Sequence, residues 1–248
     1  MTRRLRLSIF GAGAGGLGAL LVWASTGLPD FGAETSRYAQ LLNSTAVAQR
    51  HVTNVVAAVV FDYRGLDTLG EEFIVLGCVF GVALLLREVR DETLGRPRDE
   101  MRSDTVRAVG LAAAALAALV GLYVVMHGYV TPGGGFQGGV VLAGACVLVY
   151  LAGSYRAYRR LVPEWLVDGA EGLGAGTYAL VGVVGLILGL AYLQNLLGGS
   201  LGTAGTLASG GSIPILNVAT ALEIAAAFVL LFTEFLEELQ LERFGGKP

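Results

Sequence analysis

Glu223 is the residue whose position in this sequence points most directly to chemistry. It lies nine residues into the uncharged apolar run that begins at Pro214, so at about 1.5 Å per helical residue it falls near the middle of a membrane. A carboxylate there costs roughly 3 kcal/mol on insertion scales and is expected to face a polar partner. Asn217 and Thr220 precede it at successive i, i+3 steps. The pattern predicts a carboxylate that exchanges a cation or a proton, with these two residues as neutral oxygen donors; a protonated Glu223 that only bonds a neighbouring helix is the alternative.

A dense group of charges adjoins the second apolar run of the chain. Its members are Asp62, Arg64, Asp67, Glu71 and Glu72. The apolar stretch 52–61 before them is too short to cross a membrane, so we expect a re-entrant or surface-lying helix in this outer loop. The charges either anchor and cap that helix or form an ion-paired entrance to a cation pathway, in which Arg64 balances a carboxylate. In the second case Asp67, like Glu223, would bind Na⁺ transiently.

The third apolar run ends in a segment that must break its helix, with Pro132 among several glycines at 126–139. Broken helices persist at membrane depth only where protein or a water-filled cavity satisfies the freed backbone groups. One interpretation is a tight turn in which His127 is merely hydrogen-bonded. The other is a hydrated gap lined by His127, Thr131 and Gln137, where the histidine can titrate because its ordinary pKa lies near neutrality.

Six apolar runs must position these residues. They cover approximately 7–25, 70–87, 106–126, 137–153, 174–197 and 214–235. Hydrophobic residues make up 54% of the 248 residues and charged residues only 15%, against about 25% charged in soluble domains. The sequence therefore predicts an all-α integral membrane protein with six transmembrane helices, and a short helix on the inner surface between residues 161 and 171.

The arginines predict the orientation of these spans. Clusters lie before the first run, between the second and third runs, after the fourth run, and at the chain end. Six spans place every cluster on one side, so the positive-inside rule predicts both termini in the cytoplasm and a multi-pass protein of the cell inner membrane. The arginine-rich connector at 87–107 divides a two-span unit, residues 1–90, from a four-span unit, residues 105–240.

The scarcity of ligand-forming residues argues against a self-contained redox enzyme. The two cysteines, Cys78 and Cys146, lie in apolar runs, and there are only two histidines. These numbers exclude a disulfide framework, a cysteine zinc site and a cysteine-ligated iron–sulfur cluster. We expect no cofactor. Lys247 is the only lysine, and no basic face is available for nucleic acid.

Two motifs resemble known families. The stretch His127-Gly-Tyr-Val-Thr-Pro-Gly-Gly-Gly-Phe-Gln-Gly is similar to the signature of the MnhB-type subunits of Mrp-type multisubunit cation/proton antiporters. Asn54-Val-Val, followed by Phe61-Asp-Tyr-Arg-Gly-Leu-Asp-Thr-Leu-Gly-Glu, resembles the E-type subunit of membrane-bound hydrogenases and the C-terminal part of the large Mrp antiporter subunit. Together the two domains cover nearly the whole chain, so the sequence resembles a fusion of neighbouring subunits.

The resemblance implies membership of the complex I-related superfamily and a role beside separate antiporter-like subunits. The chain would be a non-enzymatic subunit of an Mrp-type Na⁺/H⁺ antiporter, with other subunits, membrane lipid, Na⁺ and H⁺ as partners. Two alternatives are a membrane-arm subunit of a related respiratory complex, such as a membrane-bound hydrogenase, and a purely structural scaffold. The first requires hydrophilic redox subunits, and the intramembrane carboxylates argue against the second.

Overall fold

The described part of the chain is helical. The structure, a computed structural model, describes residues 3–28, 36–87, 103–196 and 202–244, and near the chain end it describes side chains as far as Leu236. The helices are α1 (Arg3–Ser25), α2 (Arg37–Arg50), α3 (Val55–Ala58), a π-helical turn (Val59–Tyr63), α4 (Gly65–Arg87), α5 (Asp104–His127), α6 (Gly135–Ala152), α7 (Tyr155–Leu161), α8 (Glu164–Ile187) and α9 (Ile213–Phe244).

Six helices among the described residues are long and apolar enough to cross a membrane, which confirms the predicted number. They are α1, α4, α5, α6, α8 and α9. The helices α1, α5 and α6 begin and end within a few residues of the predicted runs, and α9 begins one residue before its run but ends nine residues after it. The other two, α4 and α8, begin five and ten residues earlier than the sequence predicted, and both differences bring acidic residues into a span.

The fifth span is present, but its predicted bounds, 174–197, are wrong: the helix is α8 at Glu164–Ile187, and most of the predicted short helix at 161–171 is the first part of it. Pro163 occupies the N-cap of α8 with extended backbone, and Glu164 lies in the first turn, where a carboxylate favours the helix dipole. The helix ends at Ile187, and Gly189 follows with φ of 76°, the left-handed conformation typical of helix ends. The short helix lies earlier, as α7, where Ser154 caps the start by accepting a bond from the backbone of Ala157.

The helix α9 is the centre of the larger of two compact units. Residues Met1–Leu41, with α1, form one unit, and Leu42 onward forms the other. In the second unit α9 packs against α4, α6 and α8, while α5 pairs with α6. Of its apolar window 56% is buried, against 17% for α4. The interior of this unit is therefore arranged around the helix that carries Glu223.

One apolar core joins both predicted halves of the chain from α2 onward. Phe61 of the π-helical turn is buried in the same cluster as Tyr178 of α8 and Leu216 of α9. The segment between α1 and α4 thus contains helices that pack onto the protein, as the sequence predicted only in outline. The connector expected to separate residues 1–90 from 105–240 lies largely outside the described residues, as does Lys247.

Candidate functional site

Glu72 of α4 and Glu223 of α9 form a buried carboxyl pair. Their exposed fractions are 2% and 0%, and their carboxyl groups are close enough to interact with each other. An ionised carboxylate can only accept hydrogen bonds. With both groups ionised, neither oxygen of Glu223 has a donor, nor does Oε2 of Glu72. The pair is therefore satisfied only when it holds a proton, or another cation, between the two groups.

Thr220 connects the pair to the backbone of α9. Its hydroxyl contacts Oε1 of Glu72 and also lies 3.0 Å from the carbonyl oxygen of Leu216. A hydroxyl has one hydrogen to donate and two lone pairs that accept. Thr220 can therefore donate to an ionised Glu72, or accept from a protonated Glu72 while it donates to Leu216. The residue is compatible with both protonation states of its neighbour.

The pair lies at about the middle of its span. Glu223 is ten residues from the start of α9 at Ile213, which is about 15 Å along the helix axis. A hydrocarbon core is about 30 Å thick. This depth agrees with the position expected from sequence and makes an uncompensated charge costly.

A glycine brings α8 against the carboxyl pair. A Cβ atom on Gly174 would lie 2.6 Å from the carbonyl oxygen of Ala219 and 2.8 Å from the backbone nitrogen of Glu223. No larger residue fits at this separation, so α8 contacts α9 at the level of Glu223. Two residues on the same face of α8, Glu171 and Tyr178, are buried as well.

Glu171 is a third buried acid, and its position in a span was missed in the sequence. It is 5% exposed, and its Oε1 has no hydrogen-bond partner. The charge of Glu223 acts on it, as does that of the exposed Asp168 one turn earlier in α8. Among the described residues, carboxyl groups from three helices therefore lie in the same part of the interior, with Glu223 acting on both of the others.

Tyr178 connects α8 to the beginning of α4. Its hydroxyl donates to the carbonyl oxygen of Gly65 at 3.1 Å, and its side chain also bonds to Thr68. The ring is fully buried and lies 6.3 Å from that of Phe61. Because tyrosine carries a polar tip on an apolar body, its ring can be buried here while its hydroxyl remains hydrogen-bonded.

Asn217 satisfies the backbone of the broken segment. Its Oδ1 accepts from the backbone nitrogen of Gly135 at 2.6 Å, and its Nδ2 donates to the carbonyl oxygen of Val125 at 2.5 Å. These groups lie at the start of α6 and near the end of α5, where helices leave backbone groups unpaired. The side chain of Asn217 is thus engaged in capping two helices.

Asn54, which caps the start of α3, holds the same segment from the other side. Its Nδ2 donates to the carbonyl oxygen of Gly128 at 2.5 Å and lies 3.2 Å from that of Thr131, while its backbone nitrogen donates to Tyr129. The hydroxyl of Tyr129 donates to Leu207 at 2.6 Å, and burial raises the pKa of this tyrosine above its ordinary value. Protein groups therefore satisfy much of the backbone that the break releases.

The other predicted residues of the segment lie toward its edge. His127 is half-buried, with its ring stacked on Tyr123 at 4.2 Å and its Nδ1 unpartnered. Thr131 donates to the backbone oxygen of His127 at 3.3 Å. Pro132 and Gln137 are exposed.

The charged segment at residues 62–72 divides into two parts. Asp62 has a nearly buried side chain, pairs with Arg50 of α2, and accepts from the backbone nitrogen of Asn195 at 2.7 Å. Asn195 in turn binds Ser212 and Gly210 at the start of α9. The carboxylate of Asp62 therefore fastens the π-helical turn to the loop that precedes α9.

The remaining charges face outward on α4. Arg64 and Asp67 form an ion pair with both side chains more than half exposed, and Glu71 is exposed. Among the described residues no group of three or more His, Cys, Asp or Glu side chains is arranged to hold a metal ion. Asp67 and Glu223, the two predicted Na⁺ ligands, differ accordingly: one is at the surface and the other is buried.

The structure joins some predicted residues and adds others. Glu223 and Thr220 come together with Glu72, and Asn217 lies on the same helix one turn away. Glu72 was noted only as a charge near the membrane boundary, and Glu171 only as the limit of an expected surface helix. An acid within an otherwise apolar helical window was the available signal for both.

These observations define an all-helical membrane protein with a buried carboxyl pair between two spans. Residues 105–230 match the model of a family described as a domain related to the MnhB subunit of Na⁺/H⁺ antiporters. The chain belongs to this family.

Similar proteins extend the likeness beyond that domain. An uncharacterized protein of Methanocaldococcus jannaschii is 30% identical over 208 residues, covering 75% of this chain and 78% of the relative. A chain of the membrane-bound sulfane sulfur reductase, an archaeal respiratory membrane complex, aligns with a TM-score of 0.73 and 29% identity over 95% of this chain and 99% of the other. A chain of the Mrp complex from Dietzia sp. DQ12-45-1b aligns with a TM-score of 0.69 and 24% identity, over 94% of this chain and 26% of that one. The protein is a membrane subunit of an Mrp-like complex.

Proposed function

We propose that this chain contributes a cation pathway to an Mrp-type Na⁺/H⁺ antiporter complex. The observation that carries the proposal is the Glu72–Glu223 pair, which is buried at mid-span and lacks hydrogen-bond donors when ionised. A site of this kind is satisfied by a proton or by a small monovalent cation. Alternate occupancy by the two would couple their movements without covalent chemistry.

The pair joins the two parts of the proposed fusion. Glu72 comes from the part that resembles the E-type hydrogenase subunit or the end of the large Mrp antiporter subunit, and Glu223 comes from the MnhB-like part. The alignment of 94% of this chain with part of a single Mrp-complex chain supports a common fold for both parts. In this proposal the fused chain fixes the relative position of the two carboxyl groups.

The exposed acids of α4 serve as the outer approach to the pair. Asp67 and Glu71 are one turn apart on α4, and Glu71 precedes Glu72 directly. The arginine distribution predicts that this end of α4 faces outward, with both chain termini in the cytoplasm. Surface carboxylates raise the local concentration of cations, so these two residues would increase apparent cation affinity without forming the central site.

Glu223→Gln in the assembled complex tests the proposal. The amide keeps the shape of the side chain and can donate to Glu72, but it removes a titratable group. Exchange, measured as Na⁺-, Li⁺- or K⁺-induced dissipation of a proton gradient in everted vesicles, should be abolished while the complex still purifies intact. Glu164→Gln, at an exposed carboxylate paired with Arg159, should exchange normally. Wild-type exchange in assembled Glu223→Gln would refute the proposal.

A redox-driven respiratory complex is the second candidate. It is favoured by the alignment with 99% of a chain from the sulfane sulfur reductase complex. The carboxyl pair would have the same role there, but electron transfer would supply the energy. Purification of the tagged chain from native membranes, followed by mass spectrometry, separates the two: hydrophilic iron–sulfur or nickel subunits would support the respiratory complex, and their absence beside antiporter subunits would support the antiporter.

A further inference from the structure

We propose that Glu171 and Asp168 of α8 carry protons between the Glu72–Glu223 pair and the membrane surface at the start of α8. This inference rests on the proposed function, because it assigns the pair a separate path for protons. The path would leave from the side of the pair opposite to the outer approach on α4. The species that moves along this path is a proton from bulk water.

The residues of α8 that face the interior show in which direction the proposed proton path runs. Glu171 and Tyr178 are seven residues apart, which is two helical turns, so they lie on the same face. Tyr178 bonds to the first residue of α4, Gly65, whereas Gly174 contacts the backbone at Glu223. Glu171 therefore lies beyond Glu223 on the side away from the start of α4.

The distance to the surface is short. Glu171 is seven residues from the first residue of α8, Glu164, which is about 10 Å along the axis. Asp168 lies on the adjoining face one turn closer to that end and is exposed. An exposed carboxylate beside a buried one can collect protons from water and pass them inward.

The unpaired oxygen of Glu171 indicates that the residue has more than a packing role. Its Oε1 has no hydrogen-bond partner, although the residue is 5% exposed. Burial of an unsatisfied polar group destabilises a protein, and an apolar side chain of similar size would avoid that cost. The energetic cost of burying this oxygen is explained if the carboxyl group takes up and releases a proton in this position.

The transfer itself involves only O–H bonds. A proton leaves the Glu171 carboxyl group and binds a carboxylate oxygen of Glu223, and the Glu171 carboxylate then takes a proton from the Asp168 side. The charged or titratable groups that act on these carboxyls are Glu223 and Asp168 for Glu171, and Glu71, Glu223 and Tyr178 for Glu72. Each proton that arrives at the pair releases one monovalent cation, so charge at the pair is conserved.

Glu171→Gln in the assembled complex is the direct test. The maximal exchange rate should fall by roughly tenfold or more, while the cation concentration for half-maximal exchange stays unchanged because the pair is intact. Glu171→Asp should retain part of the rate, and Glu164→Gln is the matched control on the same helix. A raised half-maximal cation concentration with a normal rate would overturn the inference, since Glu171 would then be a cation ligand.

Asp168→Asn keeps the inference testable if Glu171→Gln does not assemble, since an exposed substitution does not disturb the interior. Its exchange rate should fall most at alkaline pH, where proton supply is limiting, and a wild-type pH profile would overturn the inference. Failure of the proposed function is separate: there Glu223→Gln itself would exchange normally. Loss of exchange in Glu223→Gln together with wild-type kinetics in Glu171→Gln would refute the α8 path alone.

Discussion

Gly135 and Asn217 are in direct contact where α6 begins. The side chain of Asn217 accepts a hydrogen bond from the Gly135 backbone nitrogen at 2.6 Å, and a Cβ atom on Gly135 would overlap the Asn217 carbonyl oxygen and lie 2.9 Å from Cβ of Thr220. The glycine-rich motif is therefore packed against the polar stripe of α9 that leads to Glu223. The break in the helix and the carboxyl pair belong to one structural unit.

Gly135→Ala should destabilise the protein because the added methyl group has no room. Overpacking of this kind costs about 1–3 kcal/mol. Gly144→Ala in the same helix is the control, since a Cβ there meets nothing within 4 Å; a helical Gly→Ala change at such a site should be neutral or stabilising. Thermal unfolding of the detergent-solubilised protein compares them, and equal melting temperatures would contradict the packing argument.

Asn217→Ala should lower stability by more than a surface substitution, because it leaves the backbone N–H of Gly135 buried without a partner and the carbonyl oxygen of Val125 with only the 3.3 Å bond from Gly128. An unsatisfied group costs about 1–3 kcal/mol. Asn217→Asp keeps the acceptor for Gly135 and loses the donor to Val125, so its loss should be intermediate by the same unfolding measurement. Normal stability with an altered cation affinity would instead support the oxygen-donor role expected from sequence.

Thr220→Val should impair exchange more than Thr220→Ser. Valine removes the hydroxyl that contacts Glu72, whereas serine retains a group that can either donate or accept. We expect the valine variant to shift the pH dependence of exchange in vesicles and the serine variant to resemble wild type. Identical pH profiles for both variants would show that packing alone matters at this position.

Substitution by asparagine should have different effects on stability and on exchange at Asp62 and at Asp67. Asp62→Asn breaks a largely buried pair with Arg50 and should cost roughly 2 kcal/mol, a value reduced for the partial exposure of the arginine. Asp67→Asn removes an exposed pair with Arg64 worth about 0.5 kcal/mol, but it should raise the half-maximal cation concentration. Measured unfolding and vesicle exchange separate the two roles; a stability loss at Asp67 equal to that at Asp62 would contradict this assignment.

We expect the folded protein to lose stability at high pH because of Tyr158. Its hydroxyl is buried 2.7 Å from that of Thr233, and burial raises the pKa of Tyr158 from 10.0 to about 12. A raised pKa favours the neutral phenol, so this stabilisation is complete below pH 10 and is lost as pH rises toward about 12. Tyr158→Phe should flatten the stability profile between these values, as measured by unfolding in detergent at a series of pH values.

Local sequence determined the spans and the location of costly groups. A run of uncharged residues long enough for the membrane core identifies a span with little regard to its neighbours, because backbone hydrogen bonds in lipid must be made within the helix. Glu223 and the broken segment around Pro132 could be found for the same reason: each departs from the composition that a span requires. These predictions used only distance along the chain.

Contacts between helices decided which polar residues work together. Glu71 and Glu72 are adjacent in sequence, yet one is exposed and the other reaches Glu223, because the packing of α4 on α9 fixes which side of the helix is interior. Glu171 was placed outside the membrane because hydropathy assigns a cost to every charge, and only its burial against α9 makes the earlier start of α8 compatible with a span. Sequence gives the depth of a residue along its helix, whereas its partners depend on helix rotation and on close approach at residues such as Gly174, which exist only in the folded chain.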